Sequence, residues 1–382
     1  MQSFDVGVIG GGPAGTAVSL ALSRRGFSVV VVERSAYDSV RIGETLSPEI
    51  QVPLSELGVW HEFLTAEHVP CQGIQSAWGS SDLYTHHILF NPYGSGWHIN
   101  RNRFDAMLAA AAAKAGATVL KSARLISCSR QETGGWRASI LAGDQHGETS
   151  FRFLVNASGK ANSRSRQMGT RRLATDALIG LVSFLSSAGS GEETAPITLI
   201  ESAPAGWWYS SPLPDARLVV AYLTDAKLWR HSRTETLAQW KRALDTTLHT
   251  KARAKRYKIG DHISVFPANS SRLNRVAGQD WIAVGDAALS FDPLAGQGIY
   301  NALRSGILAA PAIEDCLRGN SASLHDYEVK CTTAFNHYLD TQRDYYRREN
   351  RWGESPFWVC YQSGSSRSRA REVRADKNED GG

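Results

Sequence analysis

The apolar positions of this chain change period several times, and each change marks an element. Near the N-terminus an apolar run, Asp5-Val-Gly-Val-Ile9, reads as a buried strand. A helical pattern follows from Ala14 to Arg25, Gly26 stops it, and Ser28-Val-Val-Val-Val32 forms a second buried strand. Between the first strand and the helix lies Gly10-Gly-Gly12-Pro13-Ala14-Gly15, which fits G-x-G-x-x-G. Glu33 ends the second strand, 18 residues after Gly15. The turn alone is a weak signal, but strand, turn, helix, strand and terminal acid together predict a dinucleotide site. Gly10 permits the tight turn, Gly12 lets the backbone approach a pyrophosphate, and Gly15 allows close helix–strand packing. The helix N-terminus offers free N–H groups and its positive dipole end. Glu33 is placed to accept hydrogen bonds from ribose hydroxyls.

Period-two runs at Ile179–Leu185, Ile197–Glu201, Trp207–Ser211 and Leu218–Leu223 predict strands, the last two joined as a hairpin through Pro214-Asp215. Phe104–Ala115 predicts an amphipathic helix packed on a sheet. Strand pattern returns at Trp281-Ile-Ala-Val284. Gly285-Asp286-Ala-Ala288 and Phe291-Asp-Pro293-Leu-Ala-Gly296-Gln297-Gly298-Ile299 follow, with a helix from about Gly298.

Composition narrows the class. The chain has 382 residues, 42% hydrophobic and 21% charged, as expected of a globular protein of two intertwined domains or one large one. Its net charge of +5 includes Arg-rich stretches at Arg164–Arg172 and Arg343–Arg351. They read as solvated basic surface or as a face for an acidic partner. No nucleic-acid module accompanies them, which argues against nucleic acid. No apolar stretch reaches 18 residues, so no membrane span is expected. Cys71, Cys128, Cys316, Cys331 and Cys360 show no CxxC spacing. No metal site or disulfide framework is therefore expected, and a reducing, cytoplasmic setting fits. No signal peptide precedes the first strand. Gly364–Gly382 reads as a disordered tail.

The Gly-Asp-Ala and Gly-x-Gly sequence around Asp286 and Gly298 resembles the second FAD motif of the para-hydroxybenzoate hydroxylase-like flavoproteins. That resemblance implies that Asp286 meets the ribityl hydroxyls and that Pro293, Gly296, Gln297, Gly298 and Ile299 lie beside the isoalloxazine. A helix N-terminus there would stabilise the negative charge of reduced flavin. Arg101-Asn-Arg-Phe104-Asp105-Ala-Met-Leu108 resembles the family's R-x-x-F-D-x-x-L segment, with Arg101 as a cofactor contact and Arg103 on the surface. Gly10, Gly12, Pro13, Ala14, Gly15, Glu33, Arg34, Arg41 and Glu44 complete the implied FAD set. The implied fold is α/β. A Rossmann-like FAD-binding domain (1–69, 101–175, 276–318) is interleaved with a mixed or antiparallel substrate sheet (70–100, 176–275). A helical segment (319–362) and the tail (363–382) follow.

Arg41-Ile-Gly-Glu44-Thr45-Leu-Ser-Pro48 and Phe291–Gly298 resemble the flavin-dependent halogenase branch. So do Tyr345–Trp352 and Ser355–Trp358. Halogenases need a lysine downstream of the Gly-Glu motif, yet the first lysine here is Lys114. Their W-x-W-x-I-P strand reads Trp207-Trp-Tyr209-Ser-Ser211-Pro212. Gln75–Gly79, Phe90–His98 and Gly206–Pro214 give the chain more of the look of flavoproteins that mature tryptophylquinone enzymes, the companions of lysine and glycine oxidases.

The expectation is an FAD-dependent monooxygenase that oxygenates an aromatic ring, a tryptophan side chain of a partner precursor protein. Trp207 and Tyr209 are the candidate pocket aromatics and His98 the candidate base. Each has an ordinary structural reading beside it, as core aromatics and a satisfied histidine. Ser158 replaces the Asp that helps bind NAD(P)H in many hydroxylases. No second nucleotide-binding βαβ unit is visible in the sequence, so electrons are expected from transiently bound NAD(P)H or from free reduced flavin supplied by a separate reductase. The rival readings are an aromatic halogenase, a natural-product hydroxylase, an oxidase or reductase, and an FAD-holding chaperone without turnover.

Overall fold

The computed structural model describes residues 2–88, 91–160, 165–188, 195–229 and 235–363. Phe90, Arg164 and the tail 364–382 lie outside the described residues.

The N-terminal pattern folds as its periods dictate. Strand Gln2–Ile9 runs into helix Pro13–Ser23, whose Pro13 occupies the first turn, and strand Val29–Val32 returns parallel to the first. The strand order is Ala277–Gly278, Trp281–Ala283, Gln145–Asn156, Gln2–Ile9, Val29–Val32, Thr118–Leu120. Neighbours pair in parallel from Trp281–Ala283 to Thr118–Leu120. Every residue of Val29–Val32 is buried, as a parallel strand covered on both faces must be. Helix Gly298–Leu317 packs on helix Pro13–Ser23. Gly306 allows the approach, because a Cβ there would stand 2.6 Å from the Ala14 carbonyl oxygen.

A second sheet collects strands from two separated stretches. Its order is Tyr257–Lys258, Leu178–Ser187, Leu218–Asp225, Gly206–Pro212, Ile197–Ala203, Gly73–Ala77, Tyr84–His87. The expected hairpin is present, with Trp208 opposite Tyr222. Strand Gly96–His98 does not join this sheet. It pairs with Thr45–Leu46 and Val69–Cys71, which brings His98 level with Thr45.

The second sheet buries both faces. Trp207 packs on one side with Tyr346, Phe357 and Trp358 of the C-terminal helices Ala322–Arg347 and Pro356–Ser363. Trp208 packs on the other with Tyr222 and Trp240. His86 and His87 lie exposed on the edge strand. No disulfide joins any of the five cysteines. No helix among the described residues is long and apolar enough to cross a membrane.

Candidate active site

One cleft of about 920 Å³ takes residues from both sheets. Gly10, Gly12, Pro13 and Ala14 line it from the first turn, and Gly296, Gly298 and Ile299 from the start of the later helix. Two helix N-termini thus open on one space, which suits a ligand with a pyrophosphate and an anionic ring. The cradle is cut for backbone contact. A Cβ on Gly12 would find only Arg41 Nη1, at 4.0 Å, and on Gly296 or Gly298 nothing within 4 Å. Gly10 holds φ +107°, the left-handed region that the turn requires. Gly15 is not on the cleft wall; its Cα faces the Gly10 carbonyl and Ala157, so its role is helix–strand packing.

Glu33 lines the cleft and is nearly buried. It accepts from Gly11 N at 2.7 Å, Ser35 Oγ at 2.6 Å and Arg41 Nη2 at 2.9 Å. Burial works against its charge, but these partners hold the carboxyl below its usual range. Arg41 also reaches Asp105 at 2.6 Å, and Arg101 meets the same carboxylate at 3.1 Å. Asp105 is fully buried and aligns both arginines, each of which lines the cleft. Its position four residues after Arg101 in the R-x-x-F-D segment was the available signal for this role. Arg34 lines the cleft as an exposed side chain, while Arg103 pairs with Glu67 on the surface.

Asp286 lines the cleft, where the positive charges of Lys160, Arg172 and Arg101 favour its ionised form. Arg172 fixes the turn by donating to the Asp286 carbonyl at 2.9 Å and the Ala287 carbonyl at 2.6 Å. Lys160 itself lines the cleft, a residue that sequence reasoning passed over. Asp292 caps the short turn through Leu294 N at 2.8 Å. Pro293 lines the cleft, whereas Gln297 does not.

Tyr209 is the one strand aromatic of the Trp207–Tyr209 trio on the cleft wall. It stands with Val182, Val219, Ala221, Leu223 and Phe266 as an apolar side of the space. The expectation that Trp207 shares this wall is corrected. Trp207 is on the same face of the strand, but the C-terminal helices cover it, and its Nε1 donates to Tyr346 Oη at 3.0 Å. His98 also stands off the wall, fully buried behind Thr45 and Ser211. Burial pushes its pKa down to about 4, so it is neutral at physiological pH. Glu44 reaches the wall, yet its carboxylate is buried. Oε2 accepts from Gly43 N at 3.0 Å and Oε1 has no hydrogen-bond partner among the described residues. Burial lifts this carboxyl to about 7. No cluster of His, Cys, Asp and Glu among the described residues could hold a metal ion.

Glycine cradle, ribose acid, second acid at the far turn and two helix N-termini define a flavin-dinucleotide protein. Residues 3–341 match the family described as FAD binding domain, and the chain belongs to that family, with FAD as its cofactor. It is an FAD-dependent oxidoreductase. It is 30% identical over 372 residues to the FAD-dependent oxidoreductase LodB of Marinomonas mediterranea, covering 94% of this chain and 96% of that one. Tryptophan 2-halogenase of Chondromyces crocatus is 27% identical over 86% of this chain and 65% of its own length. Among solved structures, the myxobacterial chondrochloren halogenase CndH superposes with TM-score 0.87 at 23% identity, covering 98% of this chain and 89% of that chain. The peptidyl tryptophan dihydroxylase QhpG superposes with TM-score 0.77 at 23% identity, over 94% and 79%. These structures share the fold.

Proposed function

We propose that this chain is a monooxygenase that hydroxylates an aromatic ring, the tryptophan side chain of a partner precursor, during biogenesis of a quinone cofactor. The observation that carries this reading is the continuity of the cleft from Gly12 and Asp286 to the apolar wall around Tyr209. A planar apolar group fits that wall, and the reacting ring would lie next to the flavin end. One structural relative supports the choice of substrate: QhpG is a peptidyl tryptophan dihydroxylase essential for tryptophylquinone cofactor biogenesis. LodB, similar along nearly its whole length, supports the oxidoreductase class. Bound FAD, once reduced, supplies the activation of dioxygen. The protein binds and orients the ring and keeps water from the reacting face. Electrons come from transient NAD(P)H or a separate reductase, and the setting is the reducing cytoplasm.

A second reading, aromatic halogenation, is favoured by the halogenase relatives and by Lys160 in the cleft wall. Lys160 lies under the charges of Asp286, Asp176 and Asp292, at the cofactor turn. That placement favours a cofactor-side role for it. Co-expression with the precursor tests the first reading: one tryptophan should gain oxygen, and a protein unable to bind FAD should leave it unmodified. Efficient turnover of a free small aromatic, with every precursor untouched, would point to a natural-product hydroxylase.

A further inference from the structure

The wall at Tyr209 hides a cluster of hydroxyl groups that FAD binding does not explain. Thr45 Oγ1 stands 2.8 Å from Tyr209 Oη, 3.0 Å from Ser211 Oγ, 3.1 Å from Thr198 Oγ1 and 3.3 Å from His98 Nδ1. Ser211 Oγ lies 2.8 Å from the same His98 nitrogen. A hydroxyl has one proton to donate and two lone pairs, so Thr45 has more neighbours than bonds. Several proton arrangements therefore compete within one fixed set of heavy atoms. That is the condition for moving a proton by short hops. Tyr209 and Thr45 line the cleft, while Ser211 and His98 are fully buried, so the cluster meets the cleft only at its front edge.

Glu44 stands beside this edge. It is 4% exposed, with Oε1 lacking a partner among the described residues, and its charge acts on Tyr209. A buried carboxylate oxygen without a donor is costly and contributes nothing as structure. The other charges facing these groups are Arg101 from helix Arg101–Lys114, Arg217 from the hairpin turn and Arg253 from helix His249–Ala254.

We propose that Tyr209 is the catalytic group through which the cleft passes a proton to the Thr45–Ser211–His98 cluster, with Glu44 as the positioning counter-charge. This rests on the hydroxylation reading. The reaction consumes the ring, dioxygen, two electrons from an external reductant and two protons, and forms the hydroxylated ring and water. As the new C–O bond forms at a ring carbon, that carbon's C–H bond breaks and its electron pair returns to the ring. The released proton goes to Tyr209 Oη while the Tyr209 proton moves to Thr45, and onward through Ser211 to His98 Nδ1. A ring carbon carrying both hydrogen and the new oxygen is a strong acid, so a neutral buried imidazole is base enough. The proton later returns by the same path, where the second oxygen atom leaves as water. Ionised Glu44 favours the protonated cluster, so the rate should rise with pH as Glu44 loses its proton.

The test uses the full-length FAD-loaded enzyme and tryptophan-containing peptides, with and without deuterium on the indole ring. Tyr209→Phe and Ser211→Ala should lower product formation by about 10²–10⁴-fold, the usual worth of a positioned proton-transfer group. A C–D isotope effect should emerge in both as proton loss becomes slow. Glu44→Gln, read on protein saturated with FAD, should lose the pH inflection near neutrality. In FAD-free protein, histidine NMR should show His98 neutral from about pH 5 to 8, with its tautomer balance altered by Ser211→Ala. Wild-type enzyme that oxygenates no peptide removes the reaction reading and this proposal together. Wild-type enzyme that does so, with Tyr209→Phe and Ser211→Ala equally fast and free of an isotope effect, removes the proposal alone. Loss of FAD binding in Glu44→Gln would make Glu44 a cofactor ligand and overturn its part.

Discussion

Tyr346 donates its hydroxyl proton to Asp292 Oδ2 at 2.7 Å and accepts from Trp207 Nε1 at 3.0 Å. One phenol from the C-terminal helix thus ties the flavin-side turn to the second sheet. Asp292 takes a further bond from Gln342 Nε2 at 2.9 Å, so the helix holds the turn at two points. The C-terminal helices are part of the cleft's support.

Tyr346→Phe should therefore destabilise more than its small change in volume suggests. It strands a buried indole N–H and removes one donor from a buried carboxylate. The expected loss is ~1–3 kcal/mol in urea unfolding. FAD affinity should fall with it, because Asp292 caps the turn that carries Pro293 and Gly296. A variant with wild-type stability and affinity would show that the turn holds its shape unaided.

Gly12→Val and Gly15→Val separate ligand space from packing space. At Gly12 a side chain would enter the open cleft, so the protein should fold, keep its circular dichroism and bind no FAD. At Gly15 it would strike the Gly10 carbonyl, so the fold itself should fail. Asp286→Ala should keep the fold, since Arg172 grips only main-chain carbonyls there. It should weaken FAD binding by ~1–3 kcal/mol, the worth of a charged hydrogen bond. Normal FAD binding by Gly12→Val would remove the dinucleotide assignment.

The contrast between these sites shows what the chain reveals before folding. The first turn was legible because strand, glycines, helix and Glu33 lie within one contiguous stretch, and local periods place them. The hairpin at Pro214-Asp215 was legible for the same reason. Which of Trp207 and Tyr209 reaches the cleft was not. They share one face of a strand, and the helix that covers Trp207 arrives from Tyr346, far along the chain. The cluster at Thr45 was hidden too, because Thr45, His98, Thr198 and Ser211 come from four separate segments. Lys160 escaped because the search for a lysine followed its place in the order of the chain, whereas the cleft gathers residues by position in space.

Halogenation should be absent. With reduced flavin, dioxygen and bromide, tryptophan, indole and phenols should yield no brominated product by mass spectrometry when catalase removes free peroxide. Among the described residues Lys160 is the one lysine on the cleft wall, and the carboxylates of Asp286, Asp176 and Asp292 act on it. Catalytic bromination that Lys160→Met abolishes would instead make that lysine a halogenase-type residue supplied from a different segment of the chain.

Glu44 should leave its mark on stability even without FAD. Burial raises its carboxyl from 4.5 to about 7 in the folded chain, so folding favours the protonated form. The contribution is fully present below about pH 4.5 and is lost as pH rises through about 7. At ~1.4 kcal/mol per unit, the loss is about 3 kcal/mol across that window. Other groups titrate there too, but they cancel in a comparison with Glu44→Gln, whose amide has nothing to ionise. The two proteins should have similar urea stabilities near pH 4.5, and the variant should be the more stable by pH 8. Parallel stability curves would mean that Glu44 titrates as an ordinary surface carboxylate. Diverging curves would show that the chain keeps a carboxylate which weakens its own fold at working pH, and such a group is retained for the chemistry of the cleft.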